Sequence, residues 1–154
     1  VQAASLSVCA PARAQATARL PGADAGLKLG DEMEATLAEF HNRTKGACLG
    51  DAVEIADNSA KRNRGLLGRD GLAVGGGLWI TPCEAIHMFF MRFAIDAVFL
   101  DREQRVTKVY SRLKPWRLAA SLRARSVIEL PAGTAERTGT APGDEIEIVR
   151  RAGV

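Results

Sequence analysis

The chain has 154 residues, 47% hydrophobic and 25% charged, with a formal net charge of +3. That length supports one domain plus an extension, since about 100–150 residues already bury roughly two-thirds of their unfolded surface, and the composition is neither that of a disordered chain nor that of collagen. Three cysteines are too few, and odd in number, for a disulfide framework, so a reducing, cytoplasmic setting is expected, and no apolar run approaches the ~18–20 residues of a membrane-spanning helix.

Residues 1–30 are rich in alanine with scattered proline and glycine and sustain no period, which reads as a poorly ordered extension. "ARAQA" offers a small-residue cleavage pattern that would mean secretion, but Gln2, Arg13 and the missing basic start argue against a signal peptide. Over 31–46, "GDEMEATLAEFHN" spaces Met33, Leu37 and Phe40 at i, i+4 and i+7, with Asp31, Glu32 and Glu34 at the favourable end of a helix dipole. A short amphipathic helix and linker is expected, with His41 as its C-terminal cation.

From 47 to 151 the chain reads as a single β-rich domain of short segments bounded by turn residues. "DAVEIAD" is a strand. "DNSAKRNRGLLGR" is a helix of about two turns, capped by Asp57 or Ser59, stopped at Gly68, with Leu66 and Leu67 inward. A strand at "LWI" follows. "DAVFLD" and "RVTKVYSRL" flank a hairpin connection at 101–104, "SVIEL" is a further strand, and "PAGTAERTG" is a turn or short helix. "DEIEIVR" alternates as a half-buried strand behind the Gly143-Asp144 turn.

The chemistry-bearing residues concentrate in "PCEAIHMFFMRFAIDAVFLD", residues 82–101. Cys83 and His87 would stand about 13 Å apart in a strand but about 5–6 Å apart on a helical turn. Thr81 as N-cap, Pro82 at the first position and Glu84 three residues after Thr81 favour one turn over 82–86, which would hold Cys83 toward the thiolate. The run beyond it, apolar on both faces, reads as a central strand. A nucleophile (Cys83), base (His87) and orienting acid (Asp96) form one candidate constellation. As metal ligands Cys83 and His87 are only two where zinc needs three or four, and the spacing to His41 and Cys48 fits no zinc motif.

Asp96, inside "FAIDAVFL", must be paired or accept backbone hydrogen bonds. Arg92, Arg64 and Arg69 are the candidate partners, and Glu129 in "VIELPAG" poses the same problem. From Arg102 to Arg125 eight basic residues face one acid, Glu103. With Tyr110 and Trp116 as stacking groups, that stretch is a candidate for nucleic-acid contact, but basic residues of this kind are more often a solvated face and Trp116 beside Pro115 more often a packing anchor.

Five ordered blocks, "RGLLGRDGL", "GGGLWITPC", "IHMFFMRFAIDAVFLDREQRV", "VIELPAGTAERTG" and "PGDEIEI", resemble the family called domain of unknown function 192 over about residues 48–149. Arg64 to Arg69, the Met91-Arg92 pair with Ile95-Asp96, and Leu130 to Gly133 match its pattern. The chain looks like a branch with Pro-Cys-x-x-x-His, departing from the commoner Trp-Met-Lys-Asn-Thr form and carrying Ala94 where proline is usual. The resemblance implies a compact, mainly β domain, an antiparallel sandwich or barrel-like fold with one or two short helices. It implies no catalytic residue and no cofactor.

The expectation is therefore a non-catalytic binding or accessory module for a small molecule, glycan or protein segment, with a polar pocket built by Arg64, Arg69, Arg92 and Asp96 beside Met91. A Cys83/His87 enzyme and nucleic-acid contact through 102–125 are the alternatives.

Overall fold

The computed structural model describes residues 36–151. Their element order is β1 (Leu37–Asn42), β2 (Ala47–Ala56), α1 (Ser59–Arg64), β3 (Gly76–Ile80), β4 (Ala85–His87), β5 (Ile95–Leu100), β6 (Val106–Leu113), β7 (Leu118–Ala120), β8 (Ser126–Pro131), α2 (Thr134–Thr138) and β9 (Ile146–Arg150). The fold is mainly β. Seven strands form one sheet in the order β6-β5-β8-β3-β2-β1-β9, and β4 pairs with β7 in a separate two-stranded ribbon.

The sheet curls until its two edges meet at one end. Near the starts of β6 and β9, Val106 N–H donates to the Asp144 carbonyl at 2.8 Å and Ile146 N–H to the Gln104 carbonyl at 2.9 Å. A half-barrel results. Pairing is antiparallel except for β2 and β3, which run parallel, because α1 and the loop after it carry the chain back over the sheet in a crossover.

The central strands are buried on both faces. Along β5, β8 and β3 the period of two separates Ile95, Ala97, Phe99, Val127, Leu78 and Ile80 from Val98, Leu100, Ile128, Leu130 and Trp79. The second set joins Phe40, Leu49, Val53, Val106 and Ile146 inside the curl, where Phe40 meets Trp79 edge-on with centroids 5.5 Å apart. The first set is covered by Leu66 from the loop after α1 and by Ile86, Met88, Met91 and Ala119 from the β4–β7 ribbon and its neighbourhood.

Several local expectations are corrected. Residues 37–42 are a strand and not part of a helix: Ala38, Phe40 and Asn42 point inward with period two, and β1 is held between β2 and β9. Pairing on both sides outweighs the weak i, i+4 signal; Met33 lies outside the described residues. The domain thus starts before residue 47. The helical turn over 82–86 is absent, Thr81-Pro82 is a cis peptide, and strand β4 begins at Ala85. The apolar run beyond is no long strand, since β4 ends at His87 and Phe90 turns the chain at φ 63°. Asn58, not Asp57 or Ser59, caps α1 by accepting from Lys61 N–H, and Gly65 stops it before Gly68. Leu66 is buried as expected, whereas Leu67 is exposed.

Candidate functional site

Between the end of α1 and strand β4 lies a pocket of ≈ 420 Å3, within the usual range for small-molecule sites. Leu66, Ile80, Ile86, Met88 and Met91 give it apolar walls, Arg62 and Arg64 line the α1 side, and Cys83 and His87 line the β4 side. Glu129 reaches it from β8. Alternation along β8 puts Glu129 on the same sheet face as Val127, between Leu78 of β3 and the small Ala97 of β5.

Glu129 is 6% exposed, and its Oε2 has no hydrogen-bond partner among the described residues. Burial pushes its carboxyl up to about 7, with the Arg69 guanidinium pulling the other way. Arg69 itself grips Glu54 through two hydrogen bonds of 2.9 and 2.8 Å. Arg62 donates to neutral oxygens only, the Asp57 and Thr81 carbonyls at 3.0 and 3.4 Å and the Ser59 hydroxyl at 3.2 Å. Neither Arg62 nor exposed Arg64 forms an ion pair with a described carboxylate. The pocket therefore joins an apolar body, arginines outside any ion pair and an orphan carboxyl.

Cys83 does not behave as the sequence suggested. Its thiol donates to the Ala85 carbonyl at 3.2 Å, and burial pushes its pKa up, with the Glu129 charge acting in the same direction. That is the opposite of an activated thiolate. No hydrogen bond joins Cys83 to His87; the exposed His87 ring stacks on Phe89 with centroids 5.3 Å apart. No group of three or more His, Cys, Asp or Glu that could hold a metal occurs among the described residues.

Asp96 lies elsewhere, on the sheet face opposite Glu129. It is fully buried, and no arginine pairs with it: Oδ1 accepts the N–H groups of Arg112 (2.8 Å) and Gly133 (3.1 Å), and Oδ2 that of Ala135 (2.7 Å). Arg92 pairs at the surface with Asp70 at 2.6 Å. The structure thus divides the expected cluster of Arg64, Arg69, Arg92 and Asp96, and brings only Arg64 and Met91 into the pocket. The hydrogen bonds of Asp96 go to the three backbone N–H groups, and none reaches His87.

The eight basic residues of 102–125 are all exposed. Arg105 is paired with Glu145 and Arg112 with Glu136, which reduces the free positive charge. Tyr110 turns its hydroxyl to the Ala120 carbonyl at 2.9 Å. Trp116, 58% exposed, leans on Phe89 and Phe90 with centroids 5.8 and 4.8 Å apart. No helix among the described residues is long and apolar enough to cross a membrane.

Comparisons with known proteins converge. The model of the family domain of unknown function 192, described as "Uncharacterized ACR", matches residues 40–148. A UPF0127 protein of Thermococcus sibiricus is 37% identical over 112 residues, covering 69% of this chain and 71% of its own. One of Pyrococcus abyssi is 38% identical over 113 residues, 69% of this chain and 93% of its own. Among solved structures, a Novosphingobium aromaticivorans protein of unknown function superposes with a TM-score of 0.63 at 22% identity, over 80% of this chain and 99% of that one. At that identity the likeness shows the fold alone.

Proposed function

The chain belongs to the domain of unknown function 192 family, and on that premise we propose that it is a non-catalytic ligand-binding module whose site is the pocket between α1 and β4. The observation that supports this reading is the orphan Oε2 of Glu129. A carboxyl nine-tenths buried with no internal partner is costly, and a cost of that kind in a pocket wall is offset when a ligand supplies the missing hydrogen bond. The apolar side chains around it provide area, and Arg62, Arg64 and Glu129 provide the few polar groups that orient a guest. Against an enzyme stand the half-buried, proton-holding Cys83 thiol and the position of Asp96 on the sheet face opposite Glu129.

The reading is tested by a fragment screen followed through the methyl resonances of Met88 and Met91. Fragments that bind should shift these two methyls and leave the distant Ile146 methyls in place. A library that leaves both methionines unmoved contradicts the reading.

A further inference from the structure

The charge layout of the pocket narrows what it holds. Its described lining carries one carboxylate, Glu129, deep and unpartnered, and two guanidiniums, Arg62 and Arg64, without ion pairs, the latter exposed. Between the two ends run Leu66, Ile80, Ile86, Met88 and Met91. Resting on the ligand-pocket reading above, we infer that the ligand class is a compact organic anion with an apolar body and a hydroxyl at the end away from its charge.

Each part of that description answers a group on the page. The two guanidiniums, neither in an ion pair, attract an anion and repel an ammonium, and an arginine fork suits a carboxylate or phosphate. The apolar walls take a hydrocarbon body, whose burial stabilises by about 0.8 kcal/mol per methylene. A hydroxyl suits Glu129 in either protonation state: it donates to the ionised carboxylate and accepts from the protonated acid. An ammonium could serve only the ionised form and would meet both arginines. Arg62 and Arg64 of α1, and Cys83 and His87 at and before β4, share the pocket lining with Glu129, and the Arg69 guanidinium of the loop after α1 acts on its charge. None of them supplies its missing hydrogen bond.

The test uses the full chain and four probes: 6-hydroxyhexanoate, hexanoate, 1-hexanol and hexylammonium. Binding is read from the Met88 and Met91 methyls at on the order of 10 mM probe, enough to reveal dissociation constants near 1 mM. The hydroxy acid should bind roughly tenfold tighter than 1-hexanol, which lacks the contact to the arginines, and tighter than hexanoate, which lacks the hydrogen bond to Glu129. Arg64→Gln, at an exposed position, should shrink the advantage of both acids over 1-hexanol, with Arg62 retaining the remainder. If 1-hexanol or hexylammonium binds as tightly as the hydroxy acid, the ligand class is wrong while the pocket reading stands. If hexanoate equals the hydroxy acid, the hydroxyl assignment to Glu129 is overturned. If no probe moves either methionine, the pocket reading falls and this inference with it.

Discussion

Glu129 and Asp96 are two carboxylates in adjacent, fully buried strands, and the protein treats them in opposite ways. Asp96 receives three backbone N–H groups; Glu129 leaves Oε2 unpartnered. The consequence for stability follows from linkage. Unfolded, Glu129 ionises near its ordinary 4.5; folded, it holds its proton to about 7. Its contribution is therefore fully present below 4.5 and lost as pH rises through 7. At about 1.4 kcal/mol per pH unit, that interval is worth roughly 3 kcal/mol. Urea unfolding of Glu129→Gln should match the parent near pH 4 and exceed its stability by up to about that amount above pH 8. For Cys83, the half-buried thiol with its raised pKa should react with iodoacetamide more slowly at pH 8 than free cysteine, and His87→Ala should leave the rate unchanged. The sequence exposed both carboxylates, because a charge in "FAIDAVFL" or "SVIEL" breaks an apolar run. It did not say where their partners were, since Asp96 is served by N–H groups that carry no side-chain signature.

At the scale of elements, Asp96 fastens three pieces of backbone. Opposite it, β6 carries an irregularity between the Ile95 and Ala97 pairings, where Arg112 sits at φ 51°, and Gly133 and Ala135 belong to the turn entering α2. Asp96→Ala orphans three N–H groups at once and should cost about 3 kcal/mol or more, with Asp96→Asn in between because one oxygen remains to accept. Gly77→Ala should also destabilise: a Cβ there would stand 2.6 Å from the Glu129 carbonyl oxygen and force β3 from β8. By contrast Arg105→Ala should cost less than about 1 kcal/mol, since its pair with Glu145 is more than half exposed on both sides and backbone bonds already join the sheet edges. Strands with clear turn boundaries were legible in the sequence, both the apolar runs of β5 and β8 and the segments of β6 and β9. β1 was not, because Leu37 and Phe40 fit a helical spacing as well as a strand and only pairing with β2 and β9 decides. β4 was hidden by an apolar run that the chain breaks at Phe90.

For the whole molecule, β1 is an integral strand of the sheet. It lies between β2 and β9 and places Ala38, Phe40 and Asn42 in the interior. Asn42 donates to Asp144 at 2.8 Å and to Thr140 at 3.1 Å, tying the start of the sheet to the turn before β9. A chain starting at residue 36 should unfold in one cooperative transition, whereas a chain starting at residue 43 should lose it, as read by circular dichroism on heating. The mainly β fold was legible because many short segments alternate. The pocket was not, because it is assembled from the end of α1, the loop to β4 and one carboxyl of β8, segments that only the curled sheet brings together.

The account turns on a carboxyl that folding buries beside an apolar pocket without giving it a partner. The most direct test is to titrate the 13Cδ resonance of Glu129 in the free protein. A midpoint near 7, as burial requires, would support the site as described. A midpoint at or below the ordinary 4.5 would mean that the carboxyl is solvated or paired, and would contradict it.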